Sequence, residues 1–272
     1  MQDYRQFLEK ILQQAGDMAM GYFGNVTGSV KPEDPNQVLT EADITVGKFL
    51  VRAVEEAYPD HNIIDEEAGV VDKHSRFTWV IDPIDGTANF AAGTPDFGIM
   101  VGLLDGATPI AGGIFAPALG KLYLATEGEG ATCNGVPMSA SNETLLINTL
   151  VSFGIDSHAD DPERTLREAK VFADIVQAVR NIRNSGSEAI DHPRVAGGNY
   201  GGRVNMASKI WDNVAPQIIA EEAGVLWTTN TGEPMDYTDP LTRAGQNFTV
   251  CVAPPALHAQ LVEIVRRHIP AS

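Results

Sequence analysis

The sequence predicts a layered α+β protein. Segments with helical apolar spacing and segments that read as mostly antiparallel strands come in blocks, a pattern that packs as stacked layers. The chain has 272 residues, 43% of them hydrophobic, which is ample for a packed core in one large domain or two smaller ones.

Phe7, Leu8, Ile11, Leu12, Ala15, Met18 and Ala19 recur at helical spacing and predict an amphipathic helix ending near Gly24. Residues 28–36 contain Pro and Gly and read as a loop. Thr40-Glu41-Ala42-Asp43 resembles a capping box with Asp43 at the third helical position, opening a helix to Tyr58. Asn62 to Asp65 reads as a short strand running into Glu66-Glu67. The apolar run Thr78 to Ile81 reads as a buried strand that Pro83 stops. Phe97 to Leu104, Pro109 to Phe115 and Lys121 to Ala125 read as a meander, with turns at Asp105-Gly106 and Leu119-Gly120. The polar segment Ser139 to Glu143 is the candidate boundary between units 1–142 and 143–272. Leu145 to Phe153 reads as a strand, and Asp161-Pro162 opens a helix with Pro at its first position. A Gly-rich stretch reads as irregular up to Trp211-Asp212, where a helix to Gly224 begins, with Pro216 in or beside its first turn. Pro255 starts the last helix.

The formal net charge is −17. So acidic a surface repels nucleic acid and anionic membranes, and an anionic substrate would need bound cations to invert the local field. Two cysteines, Cys133 and Cys251, stand far apart and in no metal-ligand spacing, so no disulfide framework is expected and a reducing cytoplasmic setting fits. The N-terminus lacks the basic-then-apolar pattern of a signal peptide, and the longest apolar runs are too short to span a bilayer.

The most informative stretch is Asp82-Pro83-Ile84-Asp85-Gly86-Thr87. Two carboxylates at the carboxyl end of a strand, closed by a Gly-Thr turn, suit hard cations beside a phosphate, since Mg²⁺ prefers oxygen ligands and keeps substrate phosphate among them. Taken alone, the same residues fit a strand end with an Asp-capped turn equally well. Asp43, Glu66-Glu67 and Asp212 also stand at ends of predicted elements, where acidic residues occur for reasons of capping and solvation. A metal site requires all four clusters to converge.

Glu66-Glu67, the hexapeptide from Asp82 to Thr87 and Trp211-Asp212-Asn213-Val214-Ala215, in that order and at those separations, resemble the signature of the inositol monophosphatase family. This is the Mg²⁺-dependent, lithium-sensitive phosphatase superfamily that includes fructose bisphosphatases. Trp79-Val80-Ile81, Asn89-Phe90 and Glu221-Glu222-Ala223-Gly224 match as well, and the likeness spans nearly the whole chain. The resemblance implies αβαβα layers in two sub-domains, with most metal ligands in the first and Asp212 and the specificity region in the second, and usually a homodimer. It implies two to three Mg²⁺ ions: Glu66, Asp82 and the carbonyl of Ile84 at the first, Asp82, Asp85 and Asp212 at the second, and Glu66 through water at a weaker third. Thr87, backed by Asp43 and with Glu67 close by, would orient the attacking water. Asp85, Gly86, Thr87, Ser187, Glu188, Asn205 and Asp212 would contact the small phosphorylated substrate.

Near Ser185-Gly186-Ser187 the chain departs from the family pattern. Glu188 stands where alanine is common, Asp191-His192-Pro193 interrupts the expected helix, and Asn205 stands where inositol-specific members carry a Glu. Fructose 1,6-bisphosphate, histidinol phosphate, a 3′-phosphoadenosine nucleotide and NADP(H) therefore stand beside inositol 1-phosphate as candidate substrates. A haloacid-dehalogenase-type phosphatase is a remote alternative: its nucleophilic Asp lies in an Asp-x-Asp motif, whereas two residues separate Asp82 from Asp85. A family-derived binding protein is another, though every ligand position is retained. Walker, paired-His and Gly-x-Ser-x-Gly motifs are absent.

Overall fold

The computed structural model describes residues 3–25, 28–31, 34–155, 158 and 160–269. Helix α1 (Tyr4–Tyr22) starts at Asp3, whose carboxylate accepts from Gln6 N–H, and α2 (Glu41–Ala57) starts at Thr40 with the expected capping box. Between them β1 (Ser29–Lys31) and β2 (Asp34–Leu39) pair as an antiparallel hairpin in the segment read as a loop. Its Pro and Gly residues concealed the pairing.

An eight-stranded sheet follows, in the order β10-β9-β8-β7-β6-β5-β3-β4. Its members are β3 (Asn62–Asp65), β4 (Gly69–Val71), β5 (Phe77–Asp85), β6 (Gly98–Asp105), β7 (Thr108–Ala116), β8 (Lys121–Thr126), β9 (Ala131–Cys133) and β10 (Val136–Pro137). The short α3 (Thr87–Ala91) leaves the end of β5. The predicted meander stands as β6, β7 and β8, with Gly106 and Gly120 at positive φ in its turns.

The second sheet has the order β12-β11-β13-β15-β14. It contains β11 (Leu150–Gly154), β12 (Asn181–Arg183), β13 (Gly202–Ser208), β14 (Leu226–Thr228) and β15 (Phe248–Ala253). The strand expected from Leu145 begins only at Leu150, after a 3₁₀ turn over Leu146–Asn148. β11 pairs in parallel with β12 and β13, so this sheet is mixed rather than mostly antiparallel. Its helices are α4 (Pro162–Ala178), α5 (Glu188–Ala196), α6 (Val214–Glu222) and α7 (Pro255–Arg266).

The layers alternate. Leu8, Leu12, Val46 and Leu50 of α1 and α2 pack on one face of the large sheet with Trp79, Ile81 and Val101. Ala189, Ala215, Ile218 and Ile219 of α5 and α6 fill its other face against Met100 and Ile114. Val195 and Ala220 continue onto the second sheet at Trp227, Val250 and Val252, and α4 and α7 close the stack with Val171, Ile175, Leu257 and Leu261. Close approach explains two glycines at the middle layer. A Cβ on Gly102 would lie 2.8 Å from Ala215 N, and one on Gly112 would lie 2.8 Å from Ala215 O, so side chains there would push α6 off the sheet. Among the described residues no helix is long and apolar enough to cross a membrane, and both cysteines are free.

Two sequence expectations fail around α5. Asp191-His192-Pro193 lies inside the helix instead of breaking it. Pro193 forgoes one backbone hydrogen bond, but the helix ends three residues later, and Glu188 and Asp191 both bind Arg203 of β13. The Gly-rich stretch before Trp211 also contains β13. A Cβ on Gly202 would meet Leu261 at 2.5 Å, so that glycine serves packing rather than loop freedom.

Candidate active site

β5 delivers the central carboxylates. Trp79, Val80 and Ile81 are buried, and the strand pairs in parallel with β3 and antiparallel with β6. Pro83 does not end it. Pairing runs from Asp82 opposite Met100 to Asp85 opposite Gly98, with one extra residue on β5. In a regular strand residues three apart face opposite sides. The bulge corrects that phase and turns both aspartates to one side. A carboxylate oxygen from each of Asp82, Asp85 and Asp212 lies within 4.8 Å of the others.

The other residues arrive from element ends. Asp212 closes a 3₁₀ turn (Ile210–Asp212) before α6, and its Oδ2 accepts from Lys209 N at 2.6 Å. Glu66 follows β3 in a turn held by Asp65, whose Oδ1 accepts from Glu67 N (3.0 Å) and Ala68 N (2.6 Å). Asp43, the third residue of α2, accepts from Thr40 N at 2.7 Å through Oδ2. Its Oδ1 lies 3.0 Å from Thr87 Oγ1, which is also 2.8 Å from the Ile84 carbonyl. The hydroxyl carries one hydrogen and donates to one of these acceptors at a time. Gly86 turns the chain between Asp85 and Thr87 with φ +80°, and a Cβ there would sit 2.9 Å from Asp96 O. Only glycine fits that turn.

These residues enclose a cavity of about 230 Å³. Glu66, Asp82, Ile84, Asp85, Gly86 and Thr87 line one side. Ser187, Glu188, Lys209, Trp211 and Asp212 line the other. Asp43 stands behind Thr87, and Glu67 is outside the lining but near enough for its charge to raise the Asp43 pKa, a smaller effect than burial. Asn205 does not reach the cavity. It is buried behind Glu188 and donates to Glu188 Oε1 at 2.9 Å. His192 is also buried, its ring 4.4 Å from that of Trp227, and belongs to the core.

The electrostatics call for cations. Burial pushes the Asp82 pKa well above the carboxylate range, and Glu66, Asp85 and Asp212 add repulsion. Asp212 is raised likewise, by burial and then by Asp85 and Glu188. Asp85 is pushed up to about 7 by burial and Glu188, although Ser187 Oγ and Ala189 N donate to its Oδ2. Asp82 Oδ1 is buried with no hydrogen-bond partner among the described residues. An oxygen-only set of buried carboxylates with one orphaned oxygen fits a hard divalent ion such as Mg²⁺ and is costly without one.

Ser152 and Arg203 were not singled out from the sequence, and Asp191 stood there only as part of an expected helix interruption. Arg203 is 2% exposed and binds Glu188 through Nε (2.7 Å to Oε2) and Nη2, and Asp191 through Nη1 (2.8 Å). Ser152 Oγ reaches the same Asp191 oxygen at 2.6 Å. The available signal was an arginine in the apolar-alternating run 202–208, since a buried arginine requires a carboxylate partner.

A layered αβαβα fold with clustered carboxylates at the end of a central strand defines a class of metal-assisted phosphatases. The inositol monophosphatase family model matches residues 1–270, and the chain belongs to that family of phosphomonoester hydrolases. It is 28% identical over 277 residues to a fructose-1,6-bisphosphatase/inositol-1-monophosphatase of Aquifex aeolicus, covering 99% of this chain and 98% of that protein. It is 30% identical over 263 residues to a putative Nus factor SuhB of Neisseria meningitidis, covering 96% and 97%. The fold matches the Thermotoga maritima IMPase with a TM-score of 0.85 at 29% identity over 97% of both chains.

Proposed function

We propose that the chain is a Mg²⁺-dependent phosphomonoesterase for a small phosphorylated polyol or related metabolite, of the inositol 1-phosphate type. The observation that carries this reading is the convergence of Asp82, Asp85 and Asp212 on one cavity with an unpartnered Asp82 oxygen. Asp82 would hold two ions in common, with Glu66 and the Ile84 carbonyl on one side and Asp85 and Asp212 on the other. Bound there, Mg²⁺ would acidify the attacking water and neutralise charge on the phosphoryl oxygens.

The chain's own groups do the positioning. Thr87 Oγ1, donating to Asp43, turns its lone pairs toward the cavity and would hold the water for in-line attack. Burial raises the Asp43 pKa, which would strengthen it as the acceptor of the Thr87 hydroxyl proton while Thr87 Oγ1 takes one from the attacking water. The Gly86-Thr87 turn and Ser187 would frame the phosphate. No phosphoenzyme is part of this scheme.

The same chemistry on fructose 1,6-bisphosphate, histidinol phosphate, a 3′-phosphoadenosine nucleotide or NADP(H) is the runner-up. Both activities named for the Aquifex relative support keeping it. The net charge of −17 opposes contact with a nucleic-acid polymer, and the factor name of the Neisserial relative stays with that protein. A cytoplasmic homodimer with a sub-domain boundary near residue 142 completes the reading. The test is a phosphate-release screen over these compounds with Mg²⁺. Turnover of at least one monoester is expected, and release from none of them overturns the proposal.

A further inference from the structure

We infer that Glu188 sets the leaving-group preference of this site: held by Arg203 from behind, it forms a fixed negative wall that favours monophosphates with uncharged, hydroxylated leaving groups over substrates carrying a second phosphate. The inference rests on the phosphatase reading above and narrows its substrate class.

Glu188 lines the cavity and stands between Ser187 and Ala189, which both donate to Asp85 Oδ2. Arg203 does not line the cavity. It grips both Glu188 oxygens from the buried side, so the negative member of the pair is the one that lines the cavity. Arg203 also divides its charge with Asp191, at 2.8 Å. Arg194 approaches the other Asp191 oxygen only to 3.7 Å, from a partly exposed position. His192 Nε2 lies 2.6 Å from Glu188 Oε2, but burial lowers its pKa, which disfavours a compensating positive charge there. The Glu188 carboxylate is therefore incompletely compensated, and it stands outside the set of carboxylates proposed to hold Mg²⁺.

Two further observations define how it acts. Oε1 accepts from Arg203 and Asn205, while Oε2 accepts from Arg203 and faces His192. A carboxylate has about four acceptor positions, so Glu188 has little capacity left to grip a substrate hydroxyl and acts through its field and shape. Arg203 binds both oxygens of this carboxylate in a buried, two-pronged pair, a geometry that holds it in the ionised form. Among the described residues, Lys209 is the only cationic side chain lining the cavity, and its Nζ donates to Gly245 O at 2.8 Å. On the Glu188 side of the cavity a second phosphate therefore meets a carboxylate, while the Lys209 ammonium is drawn toward the Gly245 carbonyl.

The experiment measures kcat/KM for inositol 1-phosphate and for fructose 1,6-bisphosphate with the full chain and Mg²⁺. In Glu188→Gln the ratio is expected to move toward the bisphosphate by about tenfold, the scale of removing one charge near a dianion in a partly screened site. In the wild type the preference for the monophosphate is expected to shrink several-fold as salt rises from about 0.05 to about 0.5 M, because the Debye length falls. A ratio that stays within about twofold in the folded variant, or moves toward the monophosphate, overturns the inference. If Glu188→Gln fails to fold, the wild-type salt series decides, and a preference unmoved by salt overturns it. Turnover with an unmoved ratio leaves the phosphatase reading standing, whereas no turnover of any monoester by the wild type removes both.

Discussion

Ser187→Ala isolates how the protein holds a carboxylate proposed to bind metal. Ser187 is 2% exposed, and its hydroxyl donates to Asp85 Oδ2, an oxygen that Ala189 N also reaches at 2.8 Å. These bonds fix one oxygen of a carboxylate that lines the cavity beside Asp82 and Asp212. A hydrogen bond to a charged group contributes roughly 1.5–3 kcal/mol, equivalent to roughly 10- to 150-fold in an equilibrium constant. The remaining Ala189 donor limits the loss, so the lower end, about tenfold, is the expected weakening of Mg²⁺ affinity. The assay is phosphate release as a function of free Mg²⁺, with urea unfolding of the same sample as control. The half-saturating Mg²⁺ concentration should rise about tenfold, with a smaller change in kcat at saturating metal. A half-saturation point within about twofold of wild type, in a folded variant, refutes the role assigned to Ser187.

Two more predictions concern stability. Arg203→Met leaves Glu188 and Asp191 buried without their cation and should lower the unfolding free energy by about 3–5 kcal/mol in urea titration, whereas a change under about 1 kcal/mol contradicts the clamp. The metal-free protein should lose thermal stability as pH rises from about 4 toward 7. The folded-state pKa values of Asp82, Asp85 and Asp212 are raised above the unfolded value near 3.9, so the folded state binds more protons and is favoured at lower pH. Saturating Mg²⁺ should flatten that slope, and an equal slope with and without the ion would show that these carboxylates do not bind it.

Much of the architecture was legible because amphipathic periods survive in sequence. The faces of α1 and α7, the capped start of α2 and the strands from Gly98 to Thr126 follow from apolar spacing, capping and turn glycines, whereas α4 turns Val171 and Ile175 inward with Glu168 and leaves Leu166, Phe172 and Val176 of its apolar spacing exposed. The second sheet was largely hidden. β12 and β14 have three residues each, too short to stand out, and β13 alternates but with the buried polar residues Arg203 and Asn205 where a half-exposed strand would carry solvent-facing ones. The acidic residues were legible one by one, but their convergence depends on the extra residue between Asp82 and Asp85, and Pro83 reads as a strand stop. The placement of Asn205 behind Glu188 was out of reach, because it depends on the register of β13 against β11 and on α5 continuing through Pro193.

The most direct test of the central claim is phosphate release from a monoester by wild type and Asp82→Asn, each with Mg²⁺ and with a chelator in its place. The account predicts release by wild type with Mg²⁺ only, and background levels from Asp82→Asn under both conditions while its circular dichroism stays that of the folded protein. Near-wild-type turnover by Asp82→Asn, or release by wild type undiminished by the chelator, would contradict it.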